Sequence, residues 1–303
     1  MVSTSHIPVL LKEMLSALQP TVGETYVDAT FGGGSYTRAI LDAADCKVVA
    51  VDRDPAAAQR ANQFRDQYGD RFDFVSGCFG DLDQILPVQK YNGFVFDFGV
   101  SSFQLDDPDR GFSFRFSGPL DMRMSDTGIT AADVVNTFTQ EDIAAILWTY
   151  GEEQKSRRIA AAIVEKRQEK LFETTLELAE LVRRIVRRKD GLDPATLTFQ
   201  GLRIFVNNEL MEIDKALKKT PSLLAVGGKI VTVAFHALED RLVKNWIRSG
   251  CVLTVEQASF ELKPLITKVV RPSDAEMTIN PRSRSAKLRV AHLVPTRFGG
   301  GIK

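Results

Sequence analysis

The residue types with the clearest chemical potential sit in one short stretch. Asp28 ends an apolar run, Gly32, Gly33 and Gly34 follow, Ser35 and Tyr36 open a segment of helical pattern, and Asp52 closes the next apolar run. Glycines at such a place let the backbone approach a ligand closely, and the start of a helix adds unsatisfied N–H donors. An acid about twenty residues on, at the tip of the second strand, is placed to hold the two hydroxyls of a ribose. Two cofactor classes use this layout, dinucleotides and S-adenosylmethionine. The dinucleotide pattern G-x-G-x-x-G, counted from Gly32 and Gly34, asks for glycine where Thr37 stands, so it fails at its helix-packing position. S-adenosylmethionine has no pyrophosphate and needs only a looser turn, with an acid such as Asp28 near its methionine part. The competing reading is a glycine turn that merely joins a strand to a helix.

Further candidates follow other apolar runs. Phe79, after the third, could cover an adenine face or simply pack in the core, and Asp97-Phe-Gly-Val-Ser101-Ser102 follows the fourth. In a doubly wound sheet such strand ends form the ligand crevice. The stretch 104–124 interleaves Phe112, Phe114 and Phe116 with Arg110, Arg115 and Arg123, a composition that suits a splayed-out base stacked and clamped by its phosphate. The same phenylalanines could pin a loop to the core, and Asp121 with Arg123 could be a structural ion pair. His236, in Phe235-His-Ala-Leu-Glu239-Asp240-Arg241, stands where a strand gives way to a helix, as a substrate-positioning group or as a helix-start residue. Arg282, Arg284, Lys287 and Arg289, with small hydroxyls between them, can hold phosphates.

These groups need a frame. Residues 7–100 alternate short apolar runs (26–29, 47–52, 72–75, 94–97) with helical stretches, including 55–67 behind an Asp54 cap and Pro55, which argues for parallel strands with crossover helices. The rhythm stops at Ser102. Residues 103–128 read as a long ordered loop and 131–189 as helices over 140–150, 153–170 and 175–188, the last behind a Thr174 cap. It resumes with a long helix over 199–219, a turn at Gly227-Gly228, a strand over 229–235, a helix over 238–249 and a final strand over 287–294. The sheet is thus split in sequence by an insertion.

Composition sets the outer limits. The 303 residues are 44% hydrophobic and 26% charged, which excludes overall disorder, and no apolar run approaches a membrane span. Cys46, Cys78 and Cys251 are odd in number and far apart, which argues against a disulfide framework or a structural zinc, so no metal is expected and the expected compartment is the cytoplasm. The net charge of zero hides a gradient: residues 241–303 carry 12 Lys/Arg against 4 Asp/Glu, net +8, which leaves −8 on the rest. Lys155, Arg157, Arg158, Arg183, Arg184, Arg187, Arg188 and Lys189 add basic faces in the insertion, beside the acids Glu165, Glu169, Glu177 and Glu180.

Taken together, His6-Ile-Pro-Val-Leu-Leu, Asp28-Ala-Thr-Phe-Gly-Gly-Gly, Val51-Asp-Arg-Asp-Pro55, Asp97-Phe-Gly-Val-Ser-Ser-Phe-Gln104, Arg110-Gly-Phe-Ser-Phe, Asp121-Met-Arg-Met, Tyr150-Gly-Glu-Glu, Phe199-Gln-Gly-Leu-Arg203, Phe235-His-Ala-Leu-Glu-Asp-Arg241 and Asn280-Pro-Arg-Ser-Arg284 resemble, in order, the ribosomal RNA small subunit methyltransferase H (MraW) family. The resemblance runs from His6 to about Ala291. It implies an α/β fold of the class I S-adenosylmethionine-dependent methyltransferase type, a Rossmann-like doubly wound sheet over 1–105 and 200–303 with an inserted helical substrate-recognition domain over 106–199. It implies methyl transfer to N4 of a cytidine in the decoding region of 16S rRNA, with 16S rRNA within the small ribosomal subunit as partner, no membrane, and S-adenosylhomocysteine as product. The implied cofactor contacts fall on Gly33, Gly34, Ser35, Tyr36, Asp52, Phe79, Asp97 and Gln104. Ser35 and Tyr36 depart from the usual Gly and His, which leaves the backbone contacts.

For that reaction an acceptor must hold the weakly nucleophilic amine and take its proton, a task for Asp97 or Asp121 while Phe112 or another loop aromatic stacks the base. Arg123, His236, Arg241, Arg282 and Arg284 are the expected RNA contacts. Two other readings compete: a nicotinamide-dependent oxidoreductase, against which Thr37 speaks, and a non-catalytic assembly factor that uses S-adenosylmethionine only as a structural ligand.

Overall fold

The computed structural model describes residues 8–187, 191–255 and 258–296. The chain divides into two compact units, residues 1–99 with 210–303 and residues 100–209. The changeovers therefore fall at Gly99/Val100 and Glu209/Leu210, six residues before the expected 105/106 and ten after the expected 199/200.

The first unit is built on an eight-stranded sheet of order β3-β2-β1-β4-β5-β8-β7-β6. Its strands are β1 (Thr25–Asp28), β2 (Lys47–Asp52), β3 (Phe72–Ser76), β4 (Tyr91–Asp97), β5 (Leu224–Ala234), β6 (Val252–Val255), β7 (Ala258–Val270) and β8 (Lys287–Pro295). β1 to β5 are parallel, and β8, β7 and β6 continue the sheet antiparallel. Alternation explains why both faces are covered. Val48, Ala50 and Val95 point into one apolar cluster with residues of the helices Leu11–Leu18, Ser35–Ala43 and Pro55–Tyr68. Val49, Val51, Phe94 and Phe96 point into another, with Ile213 and Leu217 of helix Glu209–Leu223 and Val243 of helix Ala237–Ser249. Strands apolar on both faces must be sandwiched between helices, which is the doubly wound arrangement. Asp54 caps its helix as expected, accepting from Ala56 N at 3.0 Å.

Three elements differ from the sequence reading. The helix over 199–219 is two helices, Thr196–Val206 and Glu209–Leu223, because Asn208 takes a left-handed φ of 51° and Asn207 turns its amide to the main chain of Met122 and Met124 at 2.7 Å each. Gly227-Gly228 is not a turn before the strand but lies inside β5, at a bulge where the register jumps from Tyr91↔Leu224 to Gly93↔Lys229 and Gly227 has φ +81°. β6 and β7 went unread, since Pro264 and the charges Glu261, Lys263 and Lys268 hide a half-exposed strand.

In the second unit the expected helices form over Gln140–Gly151, Ser156–Arg167 and Thr175–Ile185, and Thr174 caps the last by accepting from Glu177 N. Helix Ala131–Thr137 precedes them. The stretch read as a loop contains a short helix, Ser102–Asp106, and a 3-10 turn, Pro108–Arg110, and the rest is irregular but fixed. A Cβ on Gly118 would lie 1.8 Å from Pro108 O, so only glycine fits that crossing. No helix among the described residues is long and apolar enough to cross a membrane.

Candidate active site

The carboxyl ends of β1, β2 and β4 carry Asp28, Asp52 and Asp97, so these acids meet at one edge of the first unit's sheet. The carboxylate of Asp28 is buried and ties the turn to the helix behind it. Its Oδ1 accepts from Thr30 N at 3.2 Å, and its Oδ2 accepts from Thr37 N at 3.2 Å and Thr37 Oγ1 at 2.7 Å. Thr37, the residue that breaks the dinucleotide pattern, is therefore the partner of this acid. Burial pushes the Asp28 carboxyl up to about 6, opposed by those hydrogen bonds and reinforced by nearby Asp52.

Asp52 fastens the glycine turn directly: Oδ2 accepts from Gly32 N at 2.7 Å and Oδ1 from Asp54 N at 2.9 Å. Burial raises its carboxyl as well, and the two amides counteract this. A carboxylate has about four lone-pair sites, so capacity for two ribose hydroxyls is left. Arg60 Nε donates to Gly32 O at 2.9 Å and braces the turn from the other side. Gly34 is the cap of helix Ser35–Ala43 with φ +75°, and Gly33 and Ser35 beside it are half-buried. The Tyr36 side chain is buried, its hydroxyl donates to Val9 O, and burial together with the charges of Asp97 and Asp28 keeps that hydroxyl neutral.

Asp97 differs from the other two acids. Its N–H donates to Thr30 Oγ1 at 2.7 Å, but among the described residues its buried Oδ1 has no hydrogen-bond partner. Burial first, then the charges of Asp28 and Glu239, hold this carboxyl well above the usual range. Phe79 packs edge-on to Phe96 at 6.2 Å and tilted to Phe98 at 6.0 Å, with its ring half-buried, so part of it belongs to the core.

His236 is the cap of helix Ala237–Ser249, with Nδ1 accepting from Glu239 N at 3.4 Å. Its Nε2 lies 3.0 Å from Oε1 of Glu239, a fully buried acid. Glu239 escaped the sequence reading. Its only signal was its place three residues after a potential cap, the spacing of a capping box. The following residue, Asp240, binds Arg289 Nε at 2.7 Å and Lys287 Nζ at 3.2 Å, so these two cations of β8 are paired. Arg241 is exposed on the same helix, and Arg282 and Arg284 are exposed on the 3-10 turn Pro281–Ser285. The pairing Ala234↔Lys287 sets that turn at the same end of the sheet as Asp97, whose own partner is Val233.

The remaining candidates lie in the second unit. Gln104 is buried and completes a capping box, its Oε1 accepting from Ser101 N at 3.0 Å. Two of these candidates already have protein partners. Asp121 is engaged by Arg123 through both oxygens, at 2.9 Å to Nε and 2.7 Å to Nη2, and this pairing outweighs burial to lower its carboxyl, so neither partner is placed as a proton acceptor or a phosphate clamp. Phe112 is buried in the helical core with the Arg110 guanidinium 5.8 Å from its ring centre, so its faces are not offered to a base. The exposed aromatics among the described residues of this unit include Trp148, 60% exposed, Phe116, 59%, and Phe103, 43%. Trp148 was missed, although it falls off the buried stripe Ile143, Ile146 and Leu147 of its helix. Of the basic faces, Arg183 is bound by Asp193 at 2.7 Å, while Arg188 and Lys189 lie outside the described residues.

The sequence matches the family model described as the MraW methylase family over residues 3–294. It is 49% identical to the ribosomal RNA small subunit methyltransferase H of Rhodospirillum rubrum, with 94% of this chain and 93% of that protein covered. Identity to the protein of the same name from Acidiphilium cryptum is 50%, over 94% of this chain and 96% of the relative. With nearly its whole length matched and its strand-end acids set on a doubly wound sheet, the chain belongs to the MraW methylase family.

Proposed function

We propose that this protein transfers the methyl group of S-adenosylmethionine to N4 of a cytidine in the decoding region of 16S rRNA, within the small ribosomal subunit. The observation that carries the reading is Asp97, a buried carboxylate at the carboxyl edge of β4 whose Oδ1 has no partner among the described residues. An orphaned buried acceptor calls for a ligand donor or cation. The edge it shares with Asp28 and Asp52 suits a positively charged ligand and repels a pyrophosphate, which speaks against the nicotinamide reading. The names of the relatives support rRNA of the small subunit as the substrate.

The residues present fit S-adenosylmethionine. Asp52 would hold the ribose hydroxyls, the N–H groups of the glycine turn the methionine carboxylate, and the half-exposed part of Phe79 one face of the adenine. When bound, the cofactor supplies an electrophilic methyl on a sulfonium. The chain's own part is orientation and proton removal. The exocyclic amine of cytosine shares its lone pair with the ring, so an acceptor that bonds the amine localises that pair and takes the proton as the new N–C bond forms. Asp97 serves as that acceptor, since Asp121 is bound to Arg123. Arg282 and Arg284 hold the RNA backbone.

The decisive test is the product. Mass spectrometry of 16S rRNA from a deletion strain is expected to show loss of N4-methylcytidine, restored by the wild-type gene, and an unchanged modification would overturn the reading. For the cofactor, calorimetry should show Asp52→Ala weakening S-adenosylmethionine binding by about a hundredfold or more, since charged acceptor bonds contribute about 1.5–3 kcal/mol each. Undiminished affinity would remove Asp52 from the site. For the RNA, Arg282→Ala with Arg284→Ala should leave cofactor affinity unchanged. The same pair should weaken subunit binding and lower its salt slope by about two, one for each phosphate contact. An equal loss of cofactor binding would remove them from that role.

A further inference from the structure

Glu239 has no part in the chemistry assigned above, yet it is fully buried beside the acceptor. Its place is set by hydrogen bonds to Oε2, which accepts from Phe235 N at 2.7 Å and His236 N at 3.2 Å, while Oε1 lies 3.0 Å from His236 Nε2 outside hydrogen-bond geometry. The amides that hold it lie just past Val233, the residue of β5 registered with Asp97. A second acid is thereby fixed at the strand end adjoining the acceptor. On the other side, β1 contributes Asp28, and helix Ser35–Ala43 contributes the buried hydroxyl of Tyr36. Among the described residues Asp97 has no ion pair, so its neighbours contribute negative charge and a neutral hydroxyl.

We propose that Glu239 is a positioning residue for Asp97: its fixed charge disfavours a bare carboxylate there until a cation arrives, so the sulfonium donor enters in exchange for a proton and is preferred over its neutral thioether product. This rests on the reading of the site as one for S-adenosylmethionine. The exchange balances simply. The O–H bond of neutral Asp97 breaks, its proton passes to solvent, and the carboxylate left behind would balance the charge of the bound cation. The product carries no charge on sulfur, so it gives no such exchange and leaves more readily. The raised proton affinity of Asp97, caused by burial and by Asp28 and Glu239, agrees with this geometry.

The test is calorimetry of the full-length protein with S-adenosylmethionine and with S-adenosylhomocysteine, each in two buffers of different ionisation enthalpy. The wild type is expected to release more protons on binding the sulfonium than on binding the thioether. Its preference for the sulfonium should also rise with pH until Asp97 is ionised in the free protein. The two ligands share their amino and carboxyl groups, so those titrations cancel in the difference. In Glu239→Gln the excess proton release should fall and the preference should shrink about tenfold. His236→Asn keeps a cap for the helix and keeps the charge, so its proton release should stay near the wild-type value. Equal proton counts for the two ligands in the wild type would overturn the proposal even if no variant folds. So would a His236→Asn protein that behaves like Glu239→Gln, because the effect would then belong to the cap. Failure of the wild type to bind S-adenosylmethionine at all would instead defeat the underlying reading of the site.

Discussion

Asp97→Asn should lower the rate of methyl transfer by about 10²–10⁴-fold, the range lost when a positioned general base is removed. Asparagine keeps the shape and the N–H bond to Thr30 Oγ1 but cannot take a proton from the amine. Single-turnover methylation of small subunits at saturating cofactor measures this directly, and a variant within tenfold of wild type would mean that another group accepts the proton. The same variant makes a stability prediction of opposite sign. The folded-state proton affinity of Asp97 is raised, so its contribution is fully present below the unfolded value of about 4 and is lost as pH rises through the folded one. Asp28 acts in the same direction, losing its contribution between the ordinary 3.8 and about 6. Thermal unfolding of the ligand-free wild type should therefore show this part of its stability falling as pH climbs above 4. Asp97→Asn should lack part of that slope and be no less stable than wild type at neutral pH.

Gly34→Ala is expected to cost about 3 kcal/mol, from two sources that add. At φ +75° an L side chain meets the left-handed penalty of about 1–2 kcal/mol, and the new Cβ would stand 2.3 Å from Phe64 Cζ and 2.7 Å from Phe31 Cε2. Those rings cannot swing clear, because Phe31 and Phe64 meet edge to face at 5.1 Å and each also touches Phe72. For a chain of 303 residues the loss corresponds to a fall in Tm of roughly 5 °C. Because the strained residue caps the helix beside the proposed cofactor site, S-adenosylmethionine affinity should fall with it. Gly23→Ala is the control: its φ is also positive, +79°, but a Cβ there meets nothing within 4 Å, so only the smaller backbone penalty applies. Equal losses for the two variants would show that the aromatic cluster gives way.

The parallel strands and the acids at their ends were legible in the sequence because both follow local rules. Strands apolar on both faces read as continuous runs, and Asp54, Thr174 and the glycine turn each announce a helix start within a few residues. What depended on distant partners was not legible. Nothing in the neighbourhood of Asn207 says that its amide will be held by Met122 and Met124, yet that contact accompanies the break in the helix. Asp121 and Arg123 have the types and spacing of working residues, and only coordinates show both carboxylate oxygens on one guanidinium. Phe112 is buried and Trp148 exposed, which aromaticity alone does not tell, because exposure is decided by the face each presents. Glu239 was hidden for a related reason: at a helix start an acid reads as a capping partner, and its second task depends on which strand lies beside it.

The pairing of β4 with β5 joins Asp97 to Val233 across the whole of residues 100–209. At equilibrium so long an interruption is tolerable, since each doubling of a closed loop costs only about 0.6 kcal/mol. Its effect is on timing. Contacts of such high sequence separation form late, whereas the capped helices between them need only near neighbours. During synthesis the amino-terminal strands would wait with one flank of β4 bare until β5 and the helix carrying Glu239 arrive. The carboxylate edge is then completed only once β5 and the helix Ala237–Ser249 have been made, so a nascent chain short of them would hold the glycine turn without the charge environment that gives it its purpose.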